Sequence, residues 1–372
     1  MSPIASMGGE RAQGCQSGTS GRSRRTLLAS FAVFGMDAVA TNRLIAQTLP
    51  GGTKQGIIDL HHHILPAFLP GMRDYMMAAW RVAGRQQELP ARLSGWSPQN
   101  SLAEMDKNGV TTSILSLPNP AISPDKAQSA RTLARRINEY GAQLVRDYPG
   151  RFGLFATVPL PDTEGSLNEI SYAFDVLKAD GIGLMSSYGE KWPGDSVFEP
   201  VLEELNRRKA VVYFHPFLPN CCRDLISNVP FVLAELVHDT TRAITSLLFS
   251  GLFARLREIR FVFSHAGGTV PMLADRISYY SAQMKDLADK TPNGVEYELK
   301  RLYYDVASSA NPAAMAALMK LVDTSHILFG SDYPAVPVAY TAEGLTHLGL
   351  SAADLQAIRR DNAMRLLPRF RA

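Results

Sequence analysis

Eight short apolar runs, each separated from the next by a longer helical stretch, follow one another from Gly56 onward, and that alternation leaves few architectures open. The runs are 56–60 (GIIDL), 111–117 (TTSILSL), 152–158 (FGLFATV), 181–186 (GIGLMS), 210–214 (AVVYF), 260–264 (RFVFS), 302–307 (LYYDVA) and 326–330 (HILFG). Most are continuously apolar, the signature of parallel strands buried on both faces. Helical stretches lie at 125–148, 164–179, 196–208, 230–256, 269–289, 312–322 and 351–366. Alternating β and α elements imply a parallel sheet covered by helices. Eight units point to a closed (β/α)8 TIM barrel, a fold that commonly needs about 250 residues or more. No Gly-x-Gly-x-x-Gly opens a helix after the first run, which disfavours a dinucleotide-binding sheet. Residues 66–110 read as a polar insertion containing Trp96 and several arginines, and on a barrel it is expected over the catalytic mouth.

Composition permits one large core: of 372 residues 46% are apolar and 20% charged. The net charge is only +3, and part of the basic excess (Arg11, Arg22, Arg24, Arg25, Arg43 and Lys54) precedes the first strand. A nucleic-acid partner would need a basic stripe on the folded body, and none stands out. Cys15, Cys221 and Cys222 offer no disulfide framework. The vicinal pair could serve as soft metal ligands, but a packing or loop role is the better expectation.

Residues 23–28 (SRRTLL) precede an apolar run from Ala29 to Met36 and a small-residue Ala38-Val39-Ala40 pattern. A twin arginine in this setting resembles a Tat export signal and predicts a periplasmic protein. The run is much shorter than the ~20 residues a membrane-spanning helix requires, so no stable span is expected. The competing reading is a basic leader on a cytoplasmic enzyme. Residues 1–55 are therefore set apart as leader and linker, and 56–372 as the barrel domain.

Catalytic groups of a barrel gather at the C-terminal ends of its strands. Strand 1 ends Asp59-Leu60-His61-His62-His63, strand 5 ends Phe214-His215, strand 6 ends Phe263-Ser264-His265, and strand 8 ends Phe329-Gly330-Ser331-Asp332. Residues two apart on a strand point the same way, so His61 and His63 face inward while His62 faces the helices. Two imidazoles from strand 1, His215 and the Asp332 carboxylate make a four-ligand set with room for a water. Such a set suits Zn2+, with Mn2+ or another divalent ion also accommodated. His265 is placed to orient or deprotonate that water. His238, His326 and His347 fall on helices or at the opposite strand end and read as structural or exposed. Asp305, inside strand 7, is open between a partner of the ligands and a buried hydrogen-bonding residue. Asp59 shares the His61 face one layer deeper and reads as structural.

The segments Asp59-Leu60-His61-His62-His63-Ile64-Leu65-Pro66, Phe263-Ser264-His265-Ala266-Gly267-Gly268 and Phe329-Gly330-Ser331-Asp332-Tyr333-Pro334 resemble those of the amidohydrolase-2 family over most of 56–366. Within it the chain is similar to the non-oxidative decarboxylase branch that contains aminocarboxymuconate-semialdehyde decarboxylase. It looks closest to 6-methylsalicylate decarboxylase-like members, through Gly95-Trp96-Ser97-Pro98, Tyr148-Pro149-Gly150-Arg151-Phe152-Gly153, Phe198-Glu199-Pro200 and the stretch 204–210 (ELNRRKA). The resemblance implies His61, His63, His215 and Asp332 as metal ligands and His265 as the activating histidine. It also implies that Arg276 reaches a neighbouring subunit's site to bind the substrate carboxylate, and hence a homodimer. A second substrate arginine would be Arg92 or Arg85, with Arg92 favoured by its nearness to Trp96. Two-metal barrels carry a carboxylated lysine at the end of strand 4; here that end reads Leu184-Met185-Ser186-Ser187, which implies a single metal. Some hydroxybenzoate decarboxylases have glutamates where this chain has His61 and Gly268, which argues against their particular substrates.

The activity so implied is loss of CO2 from a hydroxylated aromatic or related unsaturated carboxylic acid, such as a 6-methylsalicylate-like substrate. Its rivals are a hydrolase using the same metal on a small amide, lactone or ester, and a binding protein that keeps the barrel without turnover.

Overall fold

A computed structural model describes residues 56–69, 91–118, 127–217, 220–222, 225–226 and 229–371. The leader and linker expected over 1–55, and Arg85, lie outside these residues. Eight strands form one parallel sheet in sequential order: β1 (Ile57–His63), β2 (Val110–Ser116), β3 (Phe152–Thr157), β4 (Gly181–Met185), β5 (Val211–His215), β6 (Arg260–Phe263), β7 (Tyr303–Asp305) and β8 (Ile327–Leu328). The expected (β/α)8 barrel is what the chain forms. The seam between β8 and β1 is closed by the segment that follows β8: Leu60 donates to the Phe329 carbonyl at 3.0 Å and His63 to that of Tyr333 at 2.7 Å. Asp332 donates back to His61 at 2.8 Å.

The outer layer is built from α1 (Pro98–Lys107), α2 (Ala127–Asp147), α3 (Thr163–Asp175), α4 (Glu199–Arg207), α5 (Glu235–Phe249), α6 (Val270–Ser281) and α7 (Pro312–Leu321). Side-chain caps start several of them: Ser97, Asp162 and Asn311 accept from the amides of Asn100, Gly165 and Ala314. One buried cluster lies between sheet and helices and includes Phe152, Leu154, Phe198, Leu205, Phe214, Phe261 and Phe263. A second fills the barrel with Ile58, Leu60, Ile114, Phe155, Tyr213, Val262 and Leu328.

Several boundaries differ from expectation, each for a local reason. α1 lies inside the stretch read as an insertion; Ser97-Pro98 caps it, and it is the first outer helix, not part of a lid. The stretch 230–256 breaks at Gly251, which adopts φ 78°, into α5 and a short helix at Leu252–Arg255. β1 runs on through all three histidines, while β8 keeps two residues because Phe329 turns its amide to the carbonyl of Ile358 at 3.0 Å. That carbonyl sits in a π turn, Ala357–Asp361, which interrupts the last helical stretch. The β1 register also shifts between Asp59 and His62. Asp59 consequently does not share the His61 face, and turns instead to His62 and Ser331.

Candidate metal centre

His61 and His63 leave β1, His215 ends β5, and Asp332 stands on the segment closing the seam. One ligand atom from each lies within 4.8 Å of the others, and the three imidazoles are buried. His61 Nε2 is 3.3 Å from His63 Nε2, and Asp332 Oδ1 is 3.3 Å and 2.9 Å from these two nitrogens. Asp332 reaches this position with φ 67°, a left-handed backbone uncommon for non-glycine residues though more accessible to aspartate than to most. The four residues named from the sequence meet at one point.

Two of the imidazoles are aimed by their other nitrogen. His61 Nδ1 donates to Asp305 Oδ2 at 3.0 Å, and His63 Nδ1 faces the Ser116 carbonyl at 3.3 Å. An acceptor behind Nδ1 puts the proton there and turns the Nε2 lone pair to the centre, the arrangement expected behind metal-bound histidines. His215 differs, because its buried Nδ1 has no protein partner. Asp305, left open by sequence reasoning, is thus the carboxylate behind His61. It also accepts from Tyr213 Oη at 3.0 Å and from the amides of His265 at 3.1 Å and Ala307 at 2.9 Å. Tyr213 carried no sequence signal beyond its place in a strand. Gly330 permits this packing, since a Cβ there would fall 2.8 Å from both Asp305 Cγ and His61 Cβ.

The charges oppose burial. Burial alone would strip the proton from His61, but Asp305 and Asp332 outweigh it and push its pKa up to about 10. Burial lowers His63 despite Asp332, and lowers His215 well below the usual range with the help of its histidine neighbours. Asp332 also resists burial: His61 and His63 hold it well below the usual carboxylate range. A site that retains a proton on a fully buried imidazole is a site of strong negative potential. A divalent cation replacing that proton would meet three nitrogens and a carboxylate, a donor set fitted to it.

His265 joins the group with its ring centroid 5.0 Å from that of His61. Its Nδ1 donates to the Ala307 carbonyl at 3.0 Å, leaving Nε2 for chemistry, and its φ of 53° marks a constrained turn. Arg92 lies against the segment that follows Asp332: Nε and one terminal nitrogen donate to the carbonyls of Pro334 and Ala335, both at 2.9 Å. It braces the loop that follows Asp332. Arg276 is exposed on α6 with its guanidinium 4.8 Å from the Tyr280 ring centre, and it is not among the clustered residues. His62 bridges Asp59 and Ser101 and stacks on Tyr333, so it faces the helices as predicted. His238 and His347 are exposed, and His326 bonds the Leu302 carbonyl. Cys221 and Cys222 are free thiols on a turn outside the cluster.

A parallel barrel with metal-ligand side chains converging at its strand ends defines a class: metal-dependent (β/α)8 enzymes. The chain belongs to the amidohydrolase-2 family, which it matches over residues 58–369. It is 34% identical over 337 residues to the decarboxylase yanB of Aspergillus niger, covering 84% of this chain and 88% of that protein. It is 37% identical over 294 residues to the 6-methylsalicylic acid decarboxylase of Penicillium expansum, covering 75% of this chain and 85% of that one. Among solved structures, a dihydroxybenzoic acid decarboxylase from a Polaromonas species, crystallised with manganese and 2-nitroresorcinol, superposes with a TM-score of 0.74. The two share 23% identity over 85% of this chain and 98% of that one, a likeness of fold.

Proposed function

We propose that the protein is a metal-dependent carboxy-lyase that removes CO2 from a hydroxylated aromatic acid of the 6-methylsalicylate type. The observation that carries this reading is the convergence of His61, His63, His215 and Asp332 beside His265, in a chain whose relatives are decarboxylases. His61, His63, His215 and Asp332 would hold a divalent ion, which when bound would supply positive charge to fix the substrate's oxygens and offset charge developing on the ring. When the bond between ring and carboxylate breaks, CO2 leaves and a proton must reach the ring carbon. Asp332 and His265 are the candidate donors. His265 Nε2 is left to carry the proton because its partner nitrogen is committed to Ala307, and Asp332 stands beside His61 and His63 at the same centre.

The glycine after the His265 turn supports a substrate unlike those of the glutamate-bearing hydroxybenzoate enzymes. Gly268 adopts φ 67°, and a Cβ there would lie 2.1 Å from the Val237 carbonyl oxygen, so no side chain fits. We assign zinc as the working ion, with manganese, present in the Polaromonas structure, as the alternative. The protein works as a homodimer in which α6 carries Arg276 to the second copy's substrate; Leu273, Ile277, Tyr280 and Met284 form an apolar groove beside it. Arg92, held beside Pro334 and Ala335, is the second arginine for the substrate carboxylate. The twin-arginine leader exports the folded enzyme.

The deciding experiment is a CO2-release screen of metal-loaded protein against hydroxylated aromatic acids, run beside a screen for 18O incorporation from water into amides, lactones and esters. Label incorporation without CO2 release would replace the lyase with a hydrolase. Sedimentation equilibrium tests the dimer, and Arg24→Lys/Arg25→Lys tests export through retention in the cytoplasm.

A further inference from the structure

Each imidazole of a metal centre needs something to hold its ring, and the third one here lacks what the other two have. His61 leans on Asp305 and His63 on the Ser116 carbonyl, whereas His215 Nδ1 has no protein partner. What holds His215 is its backbone. Its carbonyl accepts from the Ser186 amide at 2.8 Å, and two residues downstream the Phe217 amide donates to Ser186 Oγ at 2.7 Å. One serine at the end of β4 therefore grips the end of β5 twice, at the ligand's own carbonyl and at the amide two residues beyond.

Ser186 Oγ can act as that acceptor reliably only if its single proton goes elsewhere. It goes to Asp239 Oδ2, on α5. The same carboxylate accepts from Ser187 Oγ at 2.8 Å and from Trp192 Nε1 at 2.7 Å. Asp239 is completely buried, and among the described residues its ion-pair partner is Arg242, 3.7 Å away. A carboxylate buried at the mouth of the barrel with three neutral donors is an unfavourable arrangement unless its acceptor character is needed. The proposed reaction makes no use of it.

We propose that Asp239 is a positioning residue for His215: by taking the Ser186 proton it orients Ser186 Oγ toward the Phe217 amide and sets the angle at which the third imidazole meets the metal. The inference rests on the metal reading of the four-residue site. Ser187 and Trp192 anchor the carboxylate, but their bonds to it do not run on to the β5 end, and this sets them apart from Ser186.

Chelator-competition titration with Zn2+, together with the visible ligand-field spectrum of the Co2+-substituted protein, reads ligand geometry without reference to turnover. Asp239→Asn and Ser186→Ala are expected to weaken Zn2+ binding by about 10- to 100-fold, the range for groups that orient metal ligands, and to alter the Co2+ spectrum. Their combination should weaken binding no further than the stronger single change, because both act through one bond. Ser187→Ala should stay within about threefold of the parent protein in the same titration, since its bond ends at the carboxylate. Wild-type affinity and spectrum in folded Ser186→Ala would overturn the proposal, as would equal losses in Ser187→Ala and Ser186→Ala. Ser186→Ala, which removes one oxygen, decides the matter alone should Asp239→Asn fail to fold. Failure of the parent protein to bind Zn2+ or Co2+ at all would instead remove the metal reading beneath it.

Discussion

At Asp305 one buried carboxylate accepts from His61, Tyr213 and the amides of His265 and Ala307, so it fixes a ligand ring and the turn that carries His265 together. Asp305→Asn cannot accept from four donors. Zn2+ affinity measured by chelator competition should fall by about 10- to 100-fold. The pH dependence of metal uptake follows from His61. Its folded pKa, about 10, lies above the ordinary 6.5. The proton it carries therefore stabilises the metal-free fold fully below about 6.5, and that contribution fades as pH rises through about 10. A cation must displace this proton. Adding Zn2+ to metal-free protein at pH 7 in weak buffer should release protons, and apparent affinity should climb with pH; pH-independent binding would contradict the assignment. Asp305 was visible in the sequence only as an acid inside an apolar strand, because nothing along a chain records which ring will stand behind it.

Between elements, polar side chains do work that apolar patterning does not reveal. Asn138 of α2 donates to the Thr157 carbonyl and to Glu169 of α3, and accepts from the Thr157 amide, all at 2.8 Å. It completes the pairing of β3 where the strand leaves the sheet. Asn138→Ala would strand two buried backbone groups and lower unfolding free energy by on the order of 3 kcal/mol, read from a denaturant midpoint. Element type was readable from hydrophobic runs, because all eight strands are buried on both faces. Element ends were not. β8 stops early because a π turn some thirty residues on offers the Ile358 carbonyl, and α1 was hidden in a polar stretch despite its Ser97-Pro98 start.

For the molecule as a whole, the ligands come from β1, β5 and the segment closing the β8–β1 seam, so a bound ion would tie together elements far apart along the chain. Metal binding should stabilise the fold by about 2.7 kcal/mol at a free concentration a hundred times Kd. Chelator treatment should lower the midpoint of thermal unfolding, and restored Zn2+ should recover it. An unchanged midpoint would mean that the folded chain does not bind the ion in preference to the unfolded one.

From the sequence alone came the barrel, through repeated apolar runs, and the four ligands with His265, through polar residues placed where those runs end. Both are legible because strand periodicity and strand-end position are local properties of a chain. The tertiary structure alone decided that Asp305 stands behind His61, that Asp59 turns away to Ser331, that Arg92 braces a loop, and that Asp239 reaches the β5 end through Ser186. Those are contacts between residues dozens to hundreds of positions apart, and their geometry exists only once the sheet has closed.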